Sequence, residues 1–389
     1  MEIAFNQFVL NIPVWIEITL GFIIAAAITY FSIPTILTVS HKLGLYERKN
    51  GRGSHQGQIP TLGGVAIFAS VVVTGAVFVD QSILRELQYV LGALAILFFV
   101  GIKDDLLVLD PKKKLIAQIL AAAIVVILGN IRITSFHGFM GITEIPYIVS
   151  VLFSVFVYIV IINGFNLIDG IDGLSAGIAT IVALTFGTWF ILTGQYAFAI
   201  VPFALAGSLI AFIRYNVFSQ TRKIFLGDTG ALSIGLLIAV VAVKFLEFDH
   251  NPAQPFAVKS SPAVAVGILI VPLFDTLRVF TLRVLRGESP FHADRRHIHH
   301  RLLDLGCSHL KATLIIAGVN VFFISLVFML QSLGNLNLLL ILISLASVFS
   351  YIPVFLLQRP FARREQRAKR PWLTASHRGI DINAVTYPD

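Results

Sequence analysis

Residues 147–163 read YIVSVLFSVFVYIVIIN, a stretch with no charged side chain. A helix needs about 17–25 apolar residues to cross the hydrocarbon of a bilayer. In lipid, a helix also satisfies every backbone hydrogen bond of such a stretch internally. Ten further apolar runs lie near residues 17–39, 62–80, 88–103, 115–130, 175–193, 197–213, 229–246, 261–277, 312–331 and 336–357. The sequence therefore predicts an all-α polytopic membrane protein with about eleven transmembrane helices.

The composition excludes a soluble protein. Hydrophobic residues make up 57% of the 389-residue chain and charged residues only 13%, and the mean hydropathy is +0.86. A soluble domain usually has about a quarter of its residues charged. The single cysteine, Cys307, excludes an intramolecular disulfide and a cysteine-based zinc site. The first apolar run lacks the basic start and the cleavage site of a signal peptide, so we expect it to be retained as a span.

The basic residues predict an orientation. With the amino terminus outside, only four lysines and arginines lie on the outer side, namely Arg85, Arg132, Lys244 and Lys259. The positive-inside rule then places the carboxyl terminus in the cytoplasm. It also explains the net charge of +8, so we expect the membrane as a partner and no nucleic acid. We expect one membrane domain at 1–358 and a flexible basic cytoplasmic tail at 359–389.

Acidic residues cluster in the predicted inner loops. The first block runs from Gly101 through Asp104 and Asp105 to Lys114. Two adjacent carboxylates at the end of a span are hard to hold together without a nearby cation. A solvated loop in which Asp110 caps the next helix is the alternative explanation.

The second block spans 163–174 and contains Asn166, Asp169 and Asp172 at intervals of three residues. If this block is helical, the three side chains share one face. Oxygen ligands of this kind suit Mg²⁺, which prefers one or two carboxylates together with substrate phosphates. The block therefore predicts a site for Mg²⁺ and substrate phosphates.

The third block spans 223–230 and precedes an apolar helix. Its glycines expose backbone N–H groups at a helix start, which favours an anion. Asp228 could reach a metal ion, and the ring of Phe225 offers a flat face to a base. A turn followed by a helix cap would also explain this block.

The fourth block spans 289–301 and contains four histidines and three arginines. A zinc site is one interpretation, but the arginines would repel a dication. Arginines among imidazoles are more typical of a diphosphate clamp. The fifth block, 55–64, is rich in glycine and proline and is weak evidence alone.

In their order along the chain, these blocks resemble the polyprenyl-phosphate N-acetylhexosamine-1-phosphate transferase family, over most of residues 40–310. The pattern His-x-Asp-Arg-x-His-x-His-His at 292–300 is similar to the WecA/TagO-like branch, which uses UDP-N-acetylglucosamine. The related MraY branch takes UDP-N-acetylmuramoyl-pentapeptide and usually has Thr-Pro-Thr-Met-Gly-Gly, where this chain has Ile-Pro-Thr-Leu-Gly-Gly at 59–64.

The resemblance implies roles for individual residues and a cofactor. The cofactor is Mg²⁺, with Mn²⁺ as an alternative. The implied catalytic residues are Asp104, Asp105, Asp172 and His297. The implied substrate-binding residues are Lys114, Asn166, Asp169, Phe225, Arg295, His299 and His300. The implied metal ligands are Asp228 and Asp105.

The resemblance also implies a reaction. N-acetylglucosamine-1-phosphate passes from UDP-N-acetylglucosamine to undecaprenyl phosphate, UMP leaves, and the product begins a cell-envelope glycan such as O-antigen or teichoic acid. Another UDP-N-acetylhexosamine, or the muramoyl-pentapeptide donor, is the alternative substrate. A transporter is the alternative class, but transporters place ionisable groups near the midplane of the membrane. The implied location is a prokaryotic inner membrane, and the oligomeric state stays open, with a homodimer as one alternative.

Overall fold

The computed structural model describes residues 13–46, 59–78, 83–139, 141–248, 256–288 and 296–358. The first helices of this part are α1 (Val14–Leu43), α2 (Gly63–Phe78), α3 (Leu84–Leu107) and α4 (Pro111–Ala123), which continues as a π-helical segment (Ile124–Leu128). A hairpin of β1 (Ser135–Phe139) and β2 (Ile142–Glu144) follows. Then come α5 (Tyr147–Ile168), α6 (Leu174–Leu192), α7 (Tyr196–Asn216) and α8 (Gly227–Phe248). The last helices are α9 (Ser261–Ile268), α10 (Ile270–Leu285), α11 (Ile298–Asp304), α12 (His309–Leu330) and α13 (Asn335–Gln358), with a 3₁₀ turn at Gln331–Leu333.

The all-α polytopic class is confirmed. Seven helices in the described ranges are long and apolar enough to cross a membrane. An eighth span results if α9 and α10, which bend by 81° at Leu269, count as one. The helix α2 is apolar but shorter, and α4 is only 13 residues long before it becomes π-helical. The predicted count of eleven spans is therefore not confirmed. Within the described residues, each predicted run overlaps a helix, the bent pair α9–α10, or α4 with its π-helical continuation.

Helix α8 lies at the centre of the bundle and is almost wholly buried. It packs against α2, α3, α5, α6 and α7. Glycines bring two neighbours close to its first turn, because a Cβ on Gly101 of α3 or Gly64 of α2 would collide with the backbone of Thr229 or Gly230. The end of α3 and the start of α2 therefore meet the start of α8 at one end of the bundle.

Polar contacts bridge the helices away from that end. The hydroxyl of Ser208 on α7 contacts those of Thr29 at 2.7 Å and Ser70 at 2.8 Å, which ties α1, α2 and α7 together. At the opposite end of α8, Lys244 forms an ion pair with Glu86. The predicted tail at 359–389 lies outside the described residues.

Candidate active site

Asp105, at the end of α3, caps the first turn of α8. Its carboxylate accepts hydrogen bonds from the backbone N–H of Asp228 at 2.7 Å and of Thr229 at 3.1 Å, and from the Thr229 hydroxyl at 2.6 Å. The two backbone donors are orphan groups of a helix start, which an acidic side chain stabilises. Burial, with some repulsion from Asp228, raises the pKa of Asp105 to about 7 against the effect of these hydrogen bonds.

Lys114 joins two carboxylates from different helices. Its ammonium lies 3.0 Å from Asp104 Oδ2 and donates to Asp228 Oδ1. The side-chain amide of Asn166 donates to the same Asp228 oxygen at 2.6 Å. Burial opposes the Lys114 charge, but the two carboxylates outweigh it and raise the pKa of Lys114. Burial and the Asp228 charge raise the pKa of Asp104. Four predicted residues thus meet in one cluster, which we call the carboxylate cluster (Asp104, Lys114, Asn166, Asp228).

Asp169 adds a further acid beside this cluster. Burial raises its pKa well above the usual value, and repulsion from Asp228, Asp105 and Asp172 adds to this effect. Carboxylates held this close favour either a proton or a cation between them. The region therefore needs bound protons, or a cation besides Lys114, to balance its acids.

The oxygen ligands around Asp228 fit Mg²⁺ only if a substrate completes its coordination. In the described ranges, no three histidine, cysteine or acidic side chains are grouped so that they could hold a metal ion. A site made only of protein ligands therefore does not fit. Mg²⁺ held by one or two carboxylates and completed by substrate phosphates does fit. The side chain of Asp228 is 31% exposed and can meet such a substrate.

The second block is helical only in its first part, so its three polar residues do not share one helical face. Helix α5 ends at Ile168, and Gly173 has a φ of +74°, a conformation that glycine adopts without strain. Asn166 therefore faces Asp228 from the last turn of α5, whereas Asp172 lies beyond the helix.

Asp172 belongs to a separate charged cluster. Its Oδ2 accepts from Lys223 Nζ at 2.7 Å and lies 3.0 Å from His309 Nδ1. Burial favours the neutral acid, but the hydrogen bonds from His309 and Lys223 lower the pKa of Asp172. The Lys223 ammonium also lies 5.7 Å from the centre of the Phe225 ring. This second cluster (Asp172, Lys223, Phe225, His309) places a cation and an aromatic face side by side.

The fifth block supports the third by backbone pairing. Phe225 N–H donates to the Pro60 carbonyl at 2.8 Å, and Gly63 N–H donates to the Phe225 carbonyl at 3.0 Å. Gly64 N–H donates to the Leu226 carbonyl at 2.9 Å. The segment at 60–64 therefore fixes the loop that carries Phe225 and leads into Asp228.

The histidines of the fourth block stack against one another. The rings of His297 and His299 lie 5.7 Å apart at 11°, and those of His299 and His300 lie 4.2 Å apart. Burial, and then the neighbouring His300, lowers the pKa of His299 to about 3. A Cβ on Gly170 would collide with the His299 ring, so these histidines border the second block. Arg295 lies outside the described residues, and its implied role stays a prediction.

Similarity to known proteins indicates the family to which this chain belongs. A model of the family described as "Glycosyl transferase family 4" matches residues 87–246. The chain is 31% identical over 323 residues to a decaprenyl-phosphate N-acetylglucosaminephosphotransferase of Mycobacterium tuberculosis (strain ATCC 25618 / H37Rv), covering 77% of this chain and 79% of that one. It is 30% identical over 283 residues to an undecaprenyl-phosphate alpha-N-acetylglucosaminyl 1-phosphate transferase of Escherichia coli (strain K12), covering 72% and 74%.

The chain belongs to the polyprenyl-phosphate N-acetylhexosamine-1-phosphate transferase family. The family match at 87–246 includes the carboxylate cluster and ends before the histidines. The transferase also has functional candidates that the sequence reasoning missed, among them Lys223, His309 and Asp275. Asp275 could have been found from the sequence, because an acid within the apolar run 261–277 is costly unless it has a partner.

Proposed function

We propose that this transferase moves N-acetylglucosamine-1-phosphate from UDP-N-acetylglucosamine to a polyprenyl phosphate and releases UMP. The observation that carries this proposal is the ion-paired group of Lys114, Asp104 and Asp228 beside Asn166. Such a group can bind and orient phosphates, and phosphoryl transfer needs alignment and charge neutralisation more than covalent help. The names of the relatives supply the sugar and the lipid.

In the proposed reaction, a lipid phosphate oxygen attacks the β-phosphorus of the UDP-sugar. Asp104 or Asp105 accepts the last proton of the lipid phosphate. Asp105 already accepts hydrogen bonds from the first turn of α8, and Asp104 from Leu109 N–H and Lys114. This base contributes little near pH 7, because a phosphate monoester has a second pKa near ~6. Lys114 attracts the incoming phosphate. A two-step route through an aspartyl-phosphate is the rival mechanism.

Asp228 is the proposed Mg²⁺ ligand. When bound, Mg²⁺ or the alternative Mn²⁺ would neutralise the diphosphate of the donor. The proposed ligand role of Asp105 is less favoured by its geometry, because its carboxylate holds the first turn of α8. Asp105 would then fix the position of Asp228.

The second cluster is the proposed nucleotide end of the site. The ring of Phe225 would stack on uracil, and Lys223, whose ammonium lies 5.7 Å from the centre of that ring, would bind the phosphate of the departing UMP. His297, His299 and His300, with Arg295, are the proposed contacts to diphosphate and sugar.

The proposed location is a prokaryotic inner membrane, with the amino terminus outside and the active site in the cytoplasm. The positive-inside distribution of lysines and arginines supports this orientation. The product is proposed as the first lipid-linked intermediate of a cell-envelope glycan. A homodimer stays a prediction.

The direct test uses purified protein in detergent with Mg²⁺, sugar-labelled UDP-N-acetylglucosamine, and either undecaprenyl or decaprenyl phosphate. We expect label in the organic-extractable lipid, with an equal amount of UMP. Transfer only from another UDP-sugar would correct the donor and keep the reaction. No UMP from any UDP-sugar would refute the proposal and favour a transporter.

A further inference from the structure

Asp275, on α10, holds the segment 296–298 of the fourth block, directly at His297 and Ile298 and through Arg278 at Arg296. The carboxylate is 3% exposed. Its Oδ2 lies 2.9 Å from His297 Nδ1, and its Oδ1 accepts from the backbone N–H of Ile298 at 3.1 Å. The same Oδ1 accepts from the Arg278 guanidinium at 2.9 Å, and Arg278 also donates to the Arg296 carbonyl at 2.6 Å. The backbone at 296–298 is therefore fixed from α10.

Helix α10 is itself fixed against the second block. A Cβ on Gly164 of α5 would come within 3.2 Å of the Pro272 carbonyl, so α5 and α10 are in close contact near Asp275. On the far side of His297, the stacked His299 ring meets Gly170. Asp275 thus contacts the edge of the His297 ring at Nδ1, while the face of that ring stacks on His299.

The two groups that donate to Asp275 Oδ1 also determine the tautomer of His297. Oδ1 of Asp275 is occupied by two donors, Ile298 N–H and Arg278, so Oδ2 is left as the acceptor for the ring. A histidine nitrogen that donates to a carboxylate leaves the other nitrogen to interact with a substrate, and the partner decides which nitrogen that is. Such supporting residues are as necessary to a site as the residues that they support.

We propose that Asp275 is a positioning residue of the transferase, which holds the His297 ring with Nδ1 protonated so that Nε2 is left as an acceptor for a hydroxyl or N–H group of the sugar donor. This proposal rests on the proposed function only for the identity of the ligand. The orientation and tautomer of His297 are properties of the protein alone, so they can be measured without turnover.

The substitution Asp275→Asn separates this role from simple packing. The amide keeps the size of the carboxylate, and its oxygen would stay with Ile298 N–H and Arg278. Its NH₂ group would then face His297 Nδ1, and two donors cannot share that contact. The ring must therefore change to the tautomer with Nε2 protonated.

The first measurement is ¹⁵N NMR of histidine-labelled protein in detergent, with His297→Gln to assign the signal. We expect Nδ1 of His297 to be protonated in the wild type and the assignment to reverse in Asp275→Asn. An unchanged tautomer would overturn the proposal. This result stands whether or not the protein transfers N-acetylglucosamine-1-phosphate, so a failure of the proposed function would be recognised separately.

The second measurement is a double-mutant cycle on turnover. Asp275→Asn should lower kcat by about 10- to 100-fold, with a much smaller change in the KM for the UDP-sugar. The double variant with His297→Gln should be no slower than His297→Gln alone, because Asp275 acts through that ring. If the losses in kcat of the two single variants multiply in the double variant, Asp275 acts separately from His297, and the proposal is overturned. Glu288→Gln is the matched control, since Glu288 pairs at 2.7 Å with Arg296, the residue that precedes His297.

Discussion

The carboxylate of Asp105 accepts a hydrogen bond from the backbone N–H of Asp228 at 2.7 Å, although 123 residues separate them in the chain. This contact places the last turn of α3 against the first turn of α8. The proposed metal ligand is therefore oriented by an acid from another helix, and the geometry of the site depends on how closely the two helices approach.

Gly101→Ala should disturb that approach. The added Cβ would collide with the Thr229 backbone, which cannot rotate away. We expect a loss of about 1–3 kcal/mol in stability, as for other overpacked interiors, and a loss of transfer activity. Gly92→Ala is the control in the same helix, because nothing lies within 4 Å of its Cβ position. Thermal unfolding in detergent measures the stability of both variants. Equal melting temperatures for the two variants would contradict the close approach.

Lys114→Gln should remove the cation between Asp104 and Asp228. The remaining carboxylates would repel each other and the incoming phosphates, so we expect kcat/KM to fall by about 100-fold or more. Lys113→Gln removes the same charge from the same helix, but its side chain is exposed, and its activity should stay within about twofold of wild type. Similar losses in both variants would indicate a general effect of loop charge instead.

Asp228→Asn should reduce transfer to less than about 1% of wild type while the protein still inserts and folds. The carboxylate that meets Mg²⁺ is lost, and the amide is a poorer ligand. Asp110→Asn changes an acid that only caps α4, through Lys112 N–H at 2.8 Å, and should retain most of the activity.

EDTA supplies the matching test of the metal. Wild-type transfer should stop when EDTA is added and return with excess Mg²⁺. Activity that persists in EDTA would remove Mg²⁺ from the proposal. Near-normal transfer by Asp228→Asn would remove Asp228 as its ligand.

Phe225→Ala should weaken binding of the donor nucleotide. Stacking of a base on an aromatic ring contributes about 1–3 kcal/mol, so the KM for the UDP-sugar should rise roughly 10-fold with a smaller change in kcat. Phe218→Ala is the control, since it removes a ring of the same kind that is 60% exposed. Steady-state kinetics at saturating lipid phosphate measures both, and an unchanged KM for Phe225→Ala would refute the stacking.

His299→Gln should lower activity without shifting the acid limb of the pH profile. Burial and His300 lower the pKa of His299 to about 3, so the ring is neutral near neutral pH. Between pH 6.5 and about 3 the unfolded chain binds a proton here that the folded chain does not. His299 therefore makes the protein less stable as the pH falls through that interval. A shifted acid limb in the variant would show that His299 titrates during turnover.

The sequence by itself determined the fold class and the chemical character of the site. Apolar runs such as 147–163 have to be helical, because lipid offers no other hydrogen-bond partner to the backbone. The acids, amides and histidines of the blocks were visible as clusters, since polar groups next to membrane helices stand out from the apolar background. Asp104, Lys114, Asn166 and Asp228 all lie in those blocks, and the family resemblance implied their roles.

Only the tertiary structure decided which of these residues meet. Local spacing suggested that Asn166 and Asp172 act together, but the glycines after α5 end the helix and send the two side chains to different clusters. The partners Lys223, His309 and Asp275 come from other helices, and no pattern within one segment encodes a contact between distant segments. Helix packing decides such contacts, because it depends on side-chain shapes along whole faces, such as the glycines that admit the first turn of α8.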